Sequence, residues 1–114
     1  YLSIDTLKSA VNNIELLNNE LTYAYPNPSY GEKITFRLQI SSIQLIKISI
    51  YDLAGFLQES ISVPVQNNLS DSMMSTIEIP WDTKGVESGV YLAKIHVSNE
   101  SNFAEKMVKV GIIK

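Results

Sequence analysis

The stretch that decides the fold runs from Trp81 to Val97 and reads Trp-Asp-Thr-Lys-Gly-Val-Glu-Ser-Gly-Val-Tyr-Leu-Ala-Lys-Ile-His-Val. Alternate residues from Tyr91 to Val97 are apolar, and the residues between them include Lys94 and His96. This period of two is typical of a β-strand with one buried face. Gly89 precedes the strand, where a glycine indicates a positive φ or a close backbone approach. The stretch therefore predicts a loop followed by a long strand with a fixed beginning.

Five further segments carry strand patterns, and they lie at residues 34–40, 43–51, 56–65, 73–81 and 103–113. Asp52-Leu53-Ala54-Gly55 predicts a tight turn, because an Asp side chain accepts backbone hydrogen bonds and glycine tolerates the left-handed conformation. Pro64 predicts an edge strand or a strand end, and Pro80 predicts an edge or a bulge, because proline cannot donate to a strand ladder. The spacing predicts an all-β fold, an antiparallel immunoglobulin-like sandwich of about seven strands. A small barrel is the alternative.

The first 22 residues differ from the rest. Apolar residues recur there at three- and four-residue spacing, which allows an amphipathic helix over residues 6–19, but paired asparagines favour a linker equally well. Tyr25-Pro26-Asn27-Pro28 then holds the chain extended and marks a boundary. We therefore expect residues 1–22 to be a linker or the end of a preceding domain, and residues 23–114 to be the sandwich.

Composition limits the function classes. The chain has 114 residues, 45% of them hydrophobic, no cysteine and a net charge of −3. This length fits one domain, and no apolar run approaches the ~20 residues of a bilayer span. A single arginine, Arg37, and a neutral β-rich part give no electrostatic reason to expect nucleic acid as a partner. Tyr1 in place of Met, with no leader pattern, predicts a piece of a longer protein.

Residues able to do chemistry are few. His96 is the only histidine and has no second imidazole to pair with, and no serine lies in a Gly-x-Ser-x-Gly motif. Asp52 and Asp82 fall where turn-forming carboxylates are expected. Residues 67–72 hold oxygen ligands without the ordered spacing of a calcium loop. The sequence therefore predicts no enzyme, no catalytic residue, no cofactor, no metal and no small-molecule substrate.

Four blocks, in order, resemble the C-terminal sorting domains of the type IX (Por) secretion system found in Bacteroidetes, of type A. Tyr25-Pro26-Asn27-Pro28 is similar to the opening block of that family, and residues 47–55, Lys-Ile-Ser-Ile-Tyr-Asp-Leu-Ala-Gly, are similar to its central strand and turn. Residues 88–95, Ser-Gly-Val-Tyr-Leu-Ala-Lys-Ile, resemble its Gly-Val-Tyr strand. Residues 105–110, Glu-Lys-Met-Val-Lys-Val, resemble its closing strand, which ends near the end of the chain as Lys114 does here. The likeness covers about residues 23–114.

The resemblance implies a domain without catalysis that directs a larger cargo across the outer membrane. It implies as partners the outer-membrane translocon, a shuttle protein, a sortase-like peptidase and a cargo domain in the same chain. It also implies transit through the periplasm, followed by secretion or display at the cell surface. Any cleavage is expected within residues 5–24, because a protease needs flexible chain.

The terminal strand is the expected recognition surface, because an exposed sheet edge offers unpaired backbone groups to a partner strand. We expect recognition to involve five residues, Lys106, Lys109, Lys114, Gly89 and Tyr91. Removal of residues 105–114 should then leave the cargo in the periplasm.

Two other functions stay open at this stage. The Trp-Asp and Ser-Gly-Val-Tyr segments are also similar to the immunoglobulin-like, FlgD-like module of flagellar hook-capping proteins, which implies a structural role. A carbohydrate-binding module of a secreted enzyme is the third class, since aromatic side chains in a row can stack on sugar rings. Its candidates are Tyr23, Tyr25, Tyr30, Tyr51, Phe56 and Trp81.

Overall fold

The structure, a computed structural model, describes residues 16–65 and 74–114. Within these residues the regular elements are one short 3₁₀ helix, Asn19–Leu21, and seven β-strands. The strands are β1 (Tyr23–Tyr25), β2 (Lys33–Ile40), β3 (Leu45–Asp52), β4 (Leu57–Pro64), β5 (Ser75–Asp82), β6 (Gly89–Ser98) and β7 (Phe103–Ile112).

The strands form two antiparallel sheets that pack face to face. One sheet has three strands in the order β1-β2-β5, and the other has four in the order β4-β3-β6-β7. The predicted all-β sandwich of about seven strands is therefore confirmed, and the two sheets do not close into a barrel. The strand that sequence reasoning missed is β1, whose three residues are too few to show a period.

The core lies between the sheets and is built by the predicted alternation. Every second residue of β6 from Tyr91 to Val97 is buried, as are Ile46, Ile48 and Ile50 of β3. On β7 the buried residues are Val108, Val110 and Ile112. Burial of each such side chain contributes ~1.5–3 kcal/mol, so these facing residues hold the two sheets together.

The predicted turn after β3 is confirmed. The Asp52 carboxylate accepts hydrogen bonds from the backbone N–H groups of Ala54 and Phe56, at 3.0 and 2.9 Å. Gly55 has a φ of 94°, a value that side chains with a Cβ disfavour. The turn therefore joins β3 and β4 as a hairpin.

The edges of the sheets are occupied by β1, β5, β4 and β7. Both proline-bearing strands, β4 and β5, are edges as predicted. Strand β7 continues through Gly111 and pairs with β6 along its whole length. No helix among residues 16–65 and 74–114 is long and apolar enough to cross a membrane.

The residues just before β1 pack against the sandwich. Leu16 and Leu17 are buried, and Leu17 forms a β-bridge with Ile40. Asn18 caps the 3₁₀ helix by accepting hydrogen bonds from the backbone of Glu20 and Leu21. The predicted helix or linker lies mostly in residues 1–15, outside the described residues. The possible metal loop, residues 67–72, lies outside them too.

Candidate recognition surface

Strand β7 has two chemically different edges, because successive residues of a strand direct their backbone groups to opposite sides. The Gly111 backbone points away from β6, since it bonds Asn27 and Ser29 instead. By the same alternation, the backbone groups of Phe103, Glu105, Met107 and Lys109 also point away from β6. Their side chains are all exposed. These odd-numbered positions are therefore the part of β7 that a partner can reach.

The Pro-Asn-Pro segment closes one end of this edge. The Asn27 side chain donates to the Lys109 carbonyl at 2.8 Å and accepts from the Gly111 N–H at 3.0 Å, as a neighbouring strand would. Ser29 donates its N–H to the Gly111 carbonyl at 2.8 Å and accepts from the Ile113 N–H at 2.9 Å. The two segments are in close contact here, since a Cβ at Gly111 would lie 3.4 Å from Pro28 Cβ. We call residues 110–113, together with the Lys109 carbonyl, the closed half.

The other end of the edge, residues 103–108 together with the Lys109 N–H and side chain, has no such cover among the described residues, and we call it the open half. The outward backbone groups of Glu105 and Met107 have no hydrogen-bond partner in that part of the chain. Phe103 and Met107 are large apolar side chains of this stretch, and they are 66% and 55% exposed. The open half thus combines unpaired backbone with exposed apolar surface.

The three lysines expected to act in recognition differ in structure. The Lys106 ammonium donates to the carbonyls of Asn19 and Thr22, and it thereby ties the segment before β1 to β7. The Lys114 ammonium donates to the Thr83 carbonyl at 2.7 Å. Lys109 is exposed and makes no side-chain hydrogen bond or ion pair within the described residues. Of the three, Lys109 is the cation with no internal role.

Gly89 and Tyr91 lie together at the start of β6, away from the open half. Gly89 has a φ of 158°, and the Tyr91 ring lies 3.7 Å from the place a Cβ would take. The Tyr91 hydroxyl donates to the Glu87 carbonyl at 2.8 Å, and its ring meets Trp81 edge to face. Burial raises the pKa of Tyr91. These contacts hold the loop before β6 in place, so the Gly-Val-Tyr segment has a structural role.

The only histidine belongs to a small charged cluster on the outer face of the four-stranded sheet. Glu105 Oε2 lies 2.8 Å from Nδ1 of His96, which donates to it, and 3.6 Å from the Lys94 ammonium. The hydrogen bond from His96, aided by the charge of Lys94, lowers the pKa of Glu105. The His96 ring also stacks on Phe103, with centroids 5.3 Å apart. The cluster lines one side of an open depression of about 290 Å³, and Lys47, Ser49 and Tyr51 line the rest of it.

Nothing in this cluster makes a reactive constellation. The imidazole is engaged by a carboxylate and an aromatic ring, and no cysteine exists to act as a nucleophile. Within residues 16–65 and 74–114 no group of three or more His, Asp and Glu side chains could hold a metal ion. What the arrangement can do is fix the outer face of β7 against β6.

The aromatic candidates for sugar stacking are dispersed. Trp81 is buried and stacks on Phe36 in the core. Tyr23 and Tyr25 share the outer face of the three-stranded sheet with their rings tilted by 51°. The Tyr25 hydroxyl donates to Glu78, which also pairs with Arg37, and these bonds lower the pKa of Glu78. The described aromatic side chains therefore do not form one flat row.

Comparison with protein families agrees with this arrangement. A family model described as a secretion system C-terminal sorting domain matches residues 23–110, well over half of the chain. The chain belongs to this family. The family consists of the sorting domains of type IX secretion, and it is not a catalytic family. A search of curated proteins finds no match.

The match begins where β1 begins and includes the Pro-Asn-Pro segment and most of β7. Two segments that bond each other across the fold thus both fall inside the sorting domain. The structure brings Lys106 and Lys109 onto one strand, while Gly89, Tyr91 and Lys114 lie around the loop before β6. Sequence reasoning missed the Asn27 contact with β7, for which the chain carries no periodic signal.

Proposed function

We propose that this sorting domain directs a larger cargo protein across the outer membrane, to the cell surface or the medium. The observation that carries the proposal is the family match over residues 23–110 on a complete sandwich without a reactive site in its described part. A domain of this kind serves as a sorting signal, because other proteins recognise its surface and no chemical step is needed. The secretion machinery and a cargo domain in the same chain are the partners that this role requires.

The proposed partners include the outer-membrane translocon, a shuttle protein and a sortase-like peptidase, as the family resemblance implies. Recognition is proposed to involve the terminal strand, with Lys109 as the contacting cation. Lys106, Lys114, Gly89 and Tyr91 would then act through the shape of the domain, since each makes internal contacts. Residues 5–24 remain the proposed zone of any cleavage.

A reporter fusion tests this function. A fluorescent protein that folds in the periplasm is joined to the N-terminus of the 114-residue chain and expressed in a bacterium with an active type IX system. We expect the reporter in the medium or on the cell surface, and in the periplasm when the host lacks a working translocon. Retention of the fusion in the periplasm of the active host would contradict the function.

A further inference from the structure

We propose that the open half of β7 receives an extended segment of a partner protein as an added β-strand. The segment would pair with the outward backbone groups of Phe103, Glu105 and Met107 and with the Lys109 N–H. Addition would stop at the Lys109 carbonyl, where Asn27 already occupies the edge. This inference rests on the proposed function and adds to it the contact surface and the kind of partner.

The backbone carries the first step of the argument. An unpaired edge accepts a strand because its N–H and C=O groups bond a partner at regular spacing. Along the closed half these groups bond Asn27 and Ser29, and along the open half they have no partner in the described residues. Lys106 does not obstruct the open half, because at its even position the backbone faces β6 and the side chain lies on the inner side.

The other long edges are less suited to an added strand. Val65 donates its N–H to the Gln44 carbonyl, so the neighbouring Pro64 of β4 faces away from β3 and has no N–H to offer. Thr83 donates to the Glu32 carbonyl, so by alternation Pro80 of β5 faces away from β2. The exposed outward positions of β4 also hold serines, whereas β7 offers Phe103 and Met107.

Side-chain chemistry defines the occupant. An added strand places its side chains beside those of β7 on the outer face of the sheet. Phe103 and Met107 are exposed apolar side chains, so they pack best against apolar side chains at alternate positions of the added strand. Glu105 is already paired with His96 and Lys94, whereas Lys109 has no ion pair in the described residues. The partner segment therefore carries alternating apolar residues and an Asp or Glu beside Lys109.

A second copy of this chain fits less well. Symmetric antiparallel pairing about Met107 would bring Glu105 opposite Lys109 of the other copy. That register needs the Lys109 carbonyl, which Asn27 holds, and a Glu105 carboxylate that already contacts His96 and Lys94. Symmetric pairing about Glu105 would instead set the two Glu105 carboxylates opposite each other, and like charges in that position destabilise a strand pair. We therefore take the partner to be a different protein.

Proline substitution isolates the backbone contact. Met107→Pro removes an N–H that points away from β6, so the ladder between β6 and β7 keeps its hydrogen bonds. The matched control is Ser62→Pro, at an outward position on β4 at the opposite edge of the same sheet. Both are placed in the reporter fusion, and secretion is measured relative to the folded, protease-resistant pool in the cell. We expect Met107→Pro to lower secretion by about tenfold or more and Ser62→Pro to leave it unchanged.

A charge variant covers the case in which proline lowers the Tm of the domain. Lys109→Glu alters an exposed side chain that makes no hydrogen bond or ion pair with residues 16–65 and 74–114, and we expect it to lower secretion several-fold at an unchanged Tm. Normal secretion of both Met107→Pro and Lys109→Glu would overturn the inference and the proposed contact at Lys109, and it would leave standing the proposal that the domain directs a cargo across the outer membrane. A concentration-dependent dimer that Met107→Pro dissolves, with secretion unchanged, would assign the edge to a second copy and overturn it too. Failure of the unmodified fusion to leave the cell would instead contradict the proposed function.

Discussion

The two halves of β7 belong to one strand and pair with the same neighbour, yet they differ in what lies along their outer edge. The closed half is bonded by Asn27 and Ser29 from the Pro-Asn-Pro segment. The open half has no such bonds in the described residues and exposes Phe103 and Met107. The difference teaches that a sorting domain can protect one end of a terminal strand and still leave a defined stretch for recognition.

The comparison also separates stability from recognition. The closed half contains Ile112, which is fully buried, and its edge bonds join residues more than 80 positions apart. The open half contributes Val108 to the core but directs its large apolar side chains, Phe103 and Met107, outward. We therefore expect changes in the closed half to lower the free energy of unfolding, and changes at outward positions of the open half to affect binding.

The largest expected effect comes from matched alanine substitutions in the two halves. Ile112→Ala removes a fully buried side chain and should lower the free energy of unfolding by ~2–5 kcal/mol. Met107→Ala removes an exposed one and should change it by less than ~0.5 kcal/mol. Urea unfolding of both variants measures the contrast. Equal losses would mean that the Met107 side chain is packed as tightly as that of Ile112 and is not available to a partner.

A smaller effect is expected from removing the two Asn27 hydrogen bonds to β7, which we call the clip. Asn27→Ala deletes two hydrogen bonds to the edge of the closed half and should cost about 1–2 kcal/mol of unfolding free energy. The control is Asn102→Ala, because the Asn102 side chain makes no hydrogen bond in the described residues. Chemical unfolding compares the two. A loss no greater for Asn27→Ala than for Asn102→Ala would show that the clip does not hold the edge.

Much of this architecture follows from local pattern, and the clip does not. Alternation in β3 and β6 predicted the buried faces, and Asp52 and Gly55 predicted the turn between β3 and β4, because these signals depend on residues adjacent in sequence. Alternation also places Lys106 on the face of Val108, but its acceptors, the carbonyls of Asn19 and Thr22, lie far away in the chain. The Asn27 bonds join a side-chain amide to a distant backbone, so no period or spacing reveals them.

The smallest expected effect is a dependence of the Tm on pH, which arises from Glu105 in the open half. Hydrogen bonding from His96 and the charge of Lys94 hold the pKa of Glu105 below its ordinary value of 4.5. A carboxyl group whose pKa is lowered in the folded state stabilises the fold at pH values above its ordinary pKa. This contribution is lost as the pH falls through the lowered pKa. Tm measurements from neutral to acidic pH on the wild type and Glu105→Gln should therefore differ at neutral pH and converge well below 4.5.

Glu100→Gln is the control for this titration, since Glu100 is exposed and makes no hydrogen bond or ion pair in the described residues. Its Tm should follow that of the wild type throughout. If the difference in Tm between the wild type and Glu105→Gln persists at the most acidic pH, the Glu105 carboxylate is not its cause.

Amide hydrogen exchange along β7, followed by NMR on the free 114-residue chain, tests the contrast between the two halves most directly. Exchange reports whether each N–H is held by a hydrogen bond. The Gly111 and Ile113 amides should be strongly protected, and the outward amides of Glu105 and Met107 should exchange much faster although they belong to the same strand. Protection of Glu105 and Met107 equal to that of Gly111 would contradict the existence of an open half.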